Sequence, residues 1–224
     1  MLLAPPARRK AARSTNRPIR TPPILARMDS AVLQAMVKWP SVPSVYGWLA
    51  LDRRGKWTIK GEAVGNPAVI AFIGRNYARD DHGRWFFQNG PQRVFVRFAY
   101  TPYILHAEPG ADGTSLVDHT GEAVSDCGEA FLDEDGCLLI VFERGIGLVS
   151  DRDLASLLPG LLRADGAAAG DDDLDRWMAH GVDVRATLDL GWTRVALHGI
   201  RSRDVPARFG FDADPRPAPG EPEC

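Results

Sequence analysis

The chain has 224 residues, of which 45% are hydrophobic, so it can form one large domain or two small ones with a real core. Residues 1–27 carry seven Arg or Lys and no acidic residue. Residues 28–224 therefore contain the other 20 basic side chains and all 29 acidic ones, which gives them a net charge of −9. An acidic body is poorly suited to phosphate backbones, and no apolar stretch is long enough to cross a bilayer. We therefore expect neither nucleic acid nor a membrane as partner.

The cysteines give no sign of a disulfide framework. Cys127, Cys137 and Cys224 are odd in number and show no Cys-x-x-Cys spacing. The N-terminus lacks the apolar core of a signal peptide. These features predict a cytoplasmic protein.

Residues 1–27 are basic, rich in proline and nearly free of large apolar side chains, so they cannot offset their own ordering entropy. Two interpretations remain open: a disordered basic tail, or a mis-annotated start with Met28 as the true first residue. A short helix is predicted over residues 29–38, with Ser30 as its cap and Pro40 beyond its end.

A first α+β unit, with this N-terminal helix, is predicted over residues 28–110. Asn66-Pro67 is a typical helix start, and Asn89-Gly90 is a strong hairpin signal. Strands are expected on both sides of the helix, the last of them over residues 94–105.

The string Leu-Asp-x-x-Gly-x-apolar-x-Ile occurs at residues 51–59 and again at residues 132–140. Similar elements follow each copy, which indicates one unit used twice. The second unit is predicted over residues 111–211, with a helix after Ser150 that Pro159 must kink or end. Its strand over residues 182–190 is expected to match residues 94–100. A disordered, proline-rich tail is predicted over residues 212–224.

These elements predict an α+β fold of two similar strand–turn–helix–strand units. In each, a small antiparallel curved sheet packs on one helix, because each helix has one apolar stripe and each set of strands one apolar face.

Motifs for common chemistries are missing from the sequence. Gly145-Ile146-Gly147 lacks the third glycine of a dinucleotide fingerprint, and no Gly-x-Ser-x-Gly nucleophile elbow occurs. No pair of histidines has metal-ligand spacing. We expect no catalytic residue, metal or cofactor from spacing alone; the scattered histidines are His82, His106, His119, His180 and His198.

Two segments are candidates for binding a ligand. Around the helix end and the Asn-Gly hairpin, fork-shaped arginines and polar side chains are suited to a small anion: Arg75, Tyr77, Gln92 and Arg93. Further on, His119 lies beside Asp118 and Thr120, which can tune its pKa. The alternative interpretation of both segments is structural: the aromatic side chains fill the core and the polar ones satisfy turns.

From Asp52 to about Leu105 the chain shows Asp-x-x-Gly-Lys-Trp, then Gly-Asn-Pro-Ala-Val-Ile-Ala-Phe-Ile, then Asp-Asp-His-Gly-Arg-Trp-Phe-Phe. This order resembles an uncharacterised proteobacterial family of unknown function. That family's Thr-Pro-Val-Glu is replaced here by residues 89–93. The resemblance implies an α+β fold of two similar halves and no established catalytic residues, and a signalling or regulatory role has been suggested for such proteins.

The leading hypothesis is therefore a non-catalytic cytoplasmic module that binds a small molecule or a protein, with a regulatory or signalling role. One alternative is an enzyme whose carboxylate and histidine site is assembled between the two units, with His119 and Asp126 as candidates. A purely structural subunit is the third. The sequence does not indicate an oligomeric state.

Overall fold

The computed structural model describes residues 28–39, 42–110, 113–180 and 184–220. The predictions for residues 1–27 and for the last four residues lie outside this part of the chain. Short helices pack around two mixed β-sheets; they are α1 Ser30–Lys38, α2 Pro67–Arg75, α3 Leu154–Leu157, α4 Asp171–His180 and α5 Val205–Phe209. None of the helices in the described ranges is long and apolar enough to span a membrane.

The first sheet has six strands in the order β3-β2-β1-β6-β5-β4. All its neighbours are antiparallel except β1 and β6, which run parallel. In chain order the strands are β1 Val45–Leu51, β2 Trp57–Ile59, β3 Glu62–Ala63, β4 Tyr77–Arg79, β5 Trp85–Asn89 and β6 Gln92–Phe98.

The second sheet has eight strands in the order β12-β13-β14-β9-β10-β11-β7-β8, with parallel pairs β14–β9 and β11–β7. Its far edge curls round, so that Thr114 N donates to Leu190 O over 3.0 Å. The strands are β7 Tyr103–Gly110, β8 Gly113–Asp118, β9 Cys127–Leu132, β10 Leu138–Phe142, β11 Gly145–Val149, β12 Leu161–Arg163, β13 Ala186–Asp189 and β14 Arg194–Gly199.

The α+β class is confirmed, whereas the prediction of purely antiparallel sheets is wrong. In the first sheet, the chain forms β1, β2 and β3 on one side, passes through α2, and then forms β4, β5 and β6 from the opposite edge inwards. In the second sheet, β9, β10 and β11 are followed in the same way by α3 and then by β12, β13 and β14. The last strand then lies parallel to the first: β6 beside β1, and β14 beside β9. Hairpin signals in a sequence indicate only antiparallel pairs of neighbouring strands. The parallel pairs β1–β6 and β9–β14 were therefore not predicted.

Two strand predictions also need correction. The strand expected over residues 94–105 is broken after Phe98, and the chain resumes as β7 in the second sheet. The strand that lies parallel to β9, as β6 lies parallel to β1, is β14, rather than the segment over residues 182–190. Within that segment only Ala186–Asp189 is a strand.

The helix signals are mostly confirmed. Asn66 caps α2 by accepting a hydrogen bond from Ala68 N, and Pro67 occupies the first turn. Asp29, not Ser30, is the N-cap residue of α1, and its side chain is bonded elsewhere. The helix after Ser150 ends at Leu157, and a 3₁₀ turn over Leu158–Gly160 contains Pro159. This is the break that the proline ring requires.

The two Leu-Asp-x-x-Gly strings form the same hairpin. Asp52 N donates to Lys56 O, and Asp52 Oδ1 accepts from Arg54 N and Lys56 N. Asp133 repeats this pattern with Asp135 and Cys137. The glycine of each turn has a positive φ, +78° at Gly55 and +77° at Gly136. Glycine adopts that conformation without a Cβ clash, which explains the spacing.

Both faces of the first sheet are covered. On one face, Val32 of α1 and Met28 just before it join a small cluster with Tyr46, Phe86 and Phe95. The other face contributes to the main core, where its aromatic side chains meet those of the second sheet. The alternation of side chains along a strand separates these two sets.

The C-terminal segment fastens the first sheet to the rest. Asp212 N donates to Gly83 O and Phe98 N to Ala213 O, while the rings of Phe98 and Phe211 meet edge-on at 6.0 Å. Residues 212 and 213, the start of the predicted tail, therefore bond to the body of the protein.

Two turn glycines with similar backbone angles allow a matched test of this attachment. Gly83 and Gly121 have φ values of +81° and +87°, but a Cβ on Gly83 would lie 2.4 Å from Gly210 O, whereas one on Gly121 meets nothing within 4 Å. We expect Gly121→Ala to cost about 1 kcal/mol from the backbone angle. Gly83→Ala should cost about 1–3 kcal/mol more, since Gly210 must move. Urea denaturation measures both; equal losses would contradict the close contact.

Candidate functional site

The seam between the two sheets is a cluster of aromatic rings. Tyr77 stacks on Trp85 with ring centroids 4.9 Å apart, and Tyr103 meets Trp85 edge-on at 5.2 Å. The His119 ring lies 5.3 Å from Trp57 and 5.7 Å from Tyr77. Strands of the first sheet thus supply one side of the seam, and β7 with the turn after β8 supplies the other.

His119 is held at this seam by β7. Its backbone N–H donates to Ile104 O over 2.8 Å, and Ile104 N donates to His119 Nδ1 over 3.3 Å. An accepting Nδ1 places the proton of the neutral ring on Nε2. Nε2 is buried and finds no acceptor among the described residues. The ring is therefore a neutral side chain with one unsatisfied donor.

The pKa of His119 is lowered to about 4, mainly because the ring is buried; nearby Asp118 opposes this shift, and His106 and Arg144 add to it. A protonated imidazolium at this position would be desolvated among aromatic rings. His119 therefore stays neutral near pH 7.

Asp118 organises the turn that carries His119. Its Oδ1 accepts hydrogen bonds from Thr120 N at 2.8 Å, Thr120 Oγ1 at 2.6 Å and Glu122 N at 3.2 Å. Its Oδ2 accepts from Arg144 Nη2 at 2.9 Å. The carboxylate side chain is fully buried and that of Arg144 is 8% exposed. This pair fixes residues 118–122 against β11.

A cleft of about 260 Å³ opens beside this turn. The C-terminal end of α2 forms one wall, and the turn after β8 forms the other. Gly74 permits the close approach of these walls, because a Cβ there would lie 3.2 Å from Thr120 Cβ. The cleft is lined by Gly74, Arg75, Tyr77, Tyr103, Thr120 and Glu122.

Arg75 at the mouth of the cleft also ties α2 to the start of α1. Its Nε and Nη2 donate to the two oxygens of Asp29 at 3.2 and 3.3 Å. These hydrogen bonds hold the pKa of the Asp29 carboxyl below its usual value. The arginine is exposed, so the pair adds little to stability, but it sets the position of the guanidinium.

The structure brings together three of the five predicted ligand-binding residues. Arg75 and Tyr77 line the cleft, and His119 lies behind it, in contact with Tyr77 and Tyr103. Gln92 instead donates to Pro43 O, and the Arg93 guanidinium lies over Phe86, 4.8 Å from the ring centroid. Neither lines the cleft, so one anion held by both Arg75 and Arg93 is not supported.

The sequence did not indicate Tyr103, and it placed Thr120 and Glu122 in the candidate segment around His119 without naming them as ligand-binding residues. The last two lie in an Asp-x-x-Gly-x turn with the same bonding as Asp52, since Asp118 N donates to Glu122 O. That spacing was visible in the sequence. The approach of this turn to α2 was not, because it depends on how the two sheets pack.

The enzyme hypothesis required His119 and a carboxylate to converge in a cleft. Asp118 turns its carboxylate to Arg144, and His119 Nε2 has no access to solvent. Asp126 is exposed, and its backbone N–H donates to Glu143 Oε2. Desolvation raises the pKa of both described thiols, Cys127 and Cys137, to about 12, which disfavours a thiolate nucleophile. No group of three or more metal-ligating side chains occurs in the described ranges.

The buried pair predicts a large stability difference between two aspartates. Asp118→Asn removes the fully buried carboxylate from Arg144, which then keeps only the partly exposed Glu143, and we expect a loss of about 3 kcal/mol. Asp151 pairs with Arg54 at 2.7 Å, but the side chains are 59% and 49% exposed, so Asp151→Asn should cost far less stability. Chemical denaturation near pH 7 compares them, and similar losses would refute the role given to Asp118.

His119 predicts a pH dependence of stability. Its folded pKa of about 4 lies below the unfolded value of 6.5, so the unfolded chain binds the proton first as the pH falls. The contribution of His119 to the free energy of unfolding is fully present above pH 6.5. It decreases as the pH falls below that value, by about 2 kcal/mol at pH 5. His119→Asn keeps an acceptor near Ile104 N and removes the titration. Urea midpoints between pH 7.5 and 5 should show a flatter slope for the variant; an unchanged slope would contradict the assignment.

A search of curated proteins gives no match for this chain. Among solved structures, a DUF1285 family protein from Silicibacter pomeroyi DSS-3 is 12% identical, with a TM-score of 0.47, covering 79% of this chain and 93% of that one. A DUF1285 family protein from Shewanella baltica OS155 is 18% identical, with a TM-score of 0.37, covering 47% and 85%. Similarities at this level carry no argument about the present chain.

The resemblance to an uncharacterised family of unknown function is confirmed by a direct match. Residues 28–216 match the family DUF2944, described as "Protein of unknown function (DUF2946)". The match begins at Met28 and extends through both sheets and the C-terminal segment. The chain belongs to this family.

Proposed function

We propose that this protein is a non-catalytic module that binds a small polar molecule in the cleft between α2 and the turn of residues 118–122. One observation carries the proposal: a cleft of about 260 Å³ lies at the seam of the two sheets and is lined by side chains from both. Ligand sites favour such junctions, and this volume lies just below the usual range, which favours a small metabolite.

The lining favours a ligand that carries both charge types or several hydrogen-bonding groups. Arg75 and Glu122 bring opposite charges to the mouth of the cleft, and both are exposed. Tyr77 and Tyr103 form an aromatic floor, and the Tyr77 hydroxyl is already donated to Pro102 O at 2.8 Å. A small zwitterion or a polar aromatic compound matches this combination.

A regulatory or signalling role in the cytoplasm is part of the same proposal. None of the side chains that line the cleft is a thiol, an imidazole or a metal ligand cluster. Such a cleft retains a ligand without transforming it. Binding there draws α2 and the turn of residues 118–122 together, and those elements join both sheets.

The test is a thermal-shift screen of the full chain against small amino acids, amines and carboxylates, because a ligand of the native state raises stability by mass action. A hit at 100 times its Kd adds about 2.7 kcal/mol, which raises Tm by several degrees. Arg75→Gln and Glu122→Gln should weaken binding about tenfold or more for a ligand that carries both charges.

Arg93→Gln is the matched control, because it removes an exposed guanidinium of β6. That guanidinium lies over Phe86 and does not line the cleft. Equal weakening by Arg93→Gln, or a hit that both cleft variants bind unchanged, would remove the cleft from consideration. No hit in millimolar screens would count against a small ligand of these classes.

We also propose that the two sheets are copies of one ancestral unit. The order of strands through β3-β2-β1-β6-β5-β4 is matched by β11-β10-β9-β14-β13-β12, with the parallel pair at the same place. The hairpins of Asp52 and Asp133 occupy equivalent positions after the first strand of each set. In the second copy, β7 and β8 extend the sheet, and the helix is reduced to four residues.

A further inference from the structure

A second, much smaller cavity lies on the other side of the aromatic cluster. Its volume is about 20 Å³, enough for one water molecule or one monatomic ion and too small for an organic ligand. The first sheet, β11 and the C-terminal segment enclose it. Its walls are formed by Arg79, Trp85, Pro102, Arg144, Gly145, Ile146, Phe209 and Phe211.

Two of the walls present hydrogen-bond donors that lack an acceptor. Arg79 Nε and Trp85 Nε1 are both buried and have no partner among the described residues. The two residues are directly opposed on β4 and β5, so their side chains lie on the same face of the sheet. Buried donors are almost always satisfied, so two orphans around one cavity indicate a missing acceptor.

Arg79 is the guanidinium at the cavity that lacks a carboxylate partner among the described residues. Arg79 Nη2 donates to Gly210 O, a neutral carbonyl, and no carboxylate of the described residues forms an ion pair with Arg79. Arg144, the other cation, is matched by Asp118 at 2.9 Å and Glu143 at 2.7 Å. The guanidinium beside the two free donors therefore has no carboxylate partner among the described residues, whereas Arg144 has two.

We propose that this cavity binds a single monovalent anion of the size of chloride, held by Arg79 Nε–H and Trp85 Nε1–H. A water molecule satisfies two donors with its lone pairs but leaves the guanidinium charge unmatched, whereas a halide accepts from both donors and neutralises it. Phe209 and Phe211 give the cavity apolar walls, and an apolar surrounding strengthens the attraction. This site is separate from the cleft proposed above, and its occupant serves to join the first sheet, β11 and the C-terminal segment.

The direct experiment uses crystals of the full chain grown without halide and soaked in sodium bromide. Data collected at the bromine absorption edge should show an anomalous peak within hydrogen-bonding reach of Arg79 Nε and Trp85 Nε1. An ordinary water peak with no anomalous signal at that place overturns the proposal. The wild-type protein is used, so the outcome does not depend on the folding of any variant.

A solution experiment tests the same site through stability. Replacing sodium gluconate by sodium chloride at constant ionic strength should raise the Tm of the wild type by about 2–4 °C, because the anion binds only the folded chain. Arg79→Gln and Trp85→Phe should lose this chloride-dependent rise, whatever their own Tm.

Arg97→Gln is the control, since Arg97 is an exposed arginine of β6 and does not line the cavity. It should keep the full rise. A chloride effect that persists in Arg79→Gln, or one that Arg97→Gln also loses, contradicts a specific site and indicates a general salt effect.

Discussion

The carboxylate of Asp118 is the constraint on which the arrangement of the seam depends. One oxygen closes the turn of residues 118–122, and the other meets the buried guanidinium of Arg144. A buried charge pair is tolerated only when its remaining hydrogen bonds are made, and here Arg144 also donates to Glu143 and to Ala123 O. The turn is thereby fixed to β11, and with it the positions of His119, Thr120 and Glu122.

This anchoring explains why polar groups gather at an otherwise aromatic seam. The rings of Trp57, Tyr77 and Tyr103 fill the space between the sheets, and they leave few acceptors for their polar neighbours. Within the described part of the chain, neither Trp57 Nε1 nor His119 Nε2 has a hydrogen-bond partner. Strands that pack through large rings bury much apolar surface. The few N–H groups that the rings surround lose their hydrogen bonds to water, which reduces the net stabilisation.

The sequence was informative where structure depends on neighbouring residues. The Asn66-Pro67 start, the break at Pro159 and the Leu-Asp-x-x-Gly hairpins were all predicted, because caps, proline rings and glycine turns act within a few residues. The parallel pairs β1–β6 and β9–β14 were missed, because they join strands about 45 or more residues apart. The candidate site was recovered in part for the same reason: Arg75 and Tyr77 are local to α2, whereas Tyr103 and Glu122 reach them only through the packing of the two sheets.

The C-terminal segment has a consequence for how the chain matures. Gly83 O and Phe98 N, both in the first sheet, find their partners in Asp212 and Ala213, more than a hundred residues later. During synthesis, an N-terminal domain can usually fold while the rest is still being made. Here Gly83 O and Phe98 N have to wait for their partners until residues 212 and 213 have been synthesised. A nascent chain stalled before residue 213 would therefore leave these two groups of the first half unpaired, so this part of the protein completes its hydrogen bonds late in synthesis.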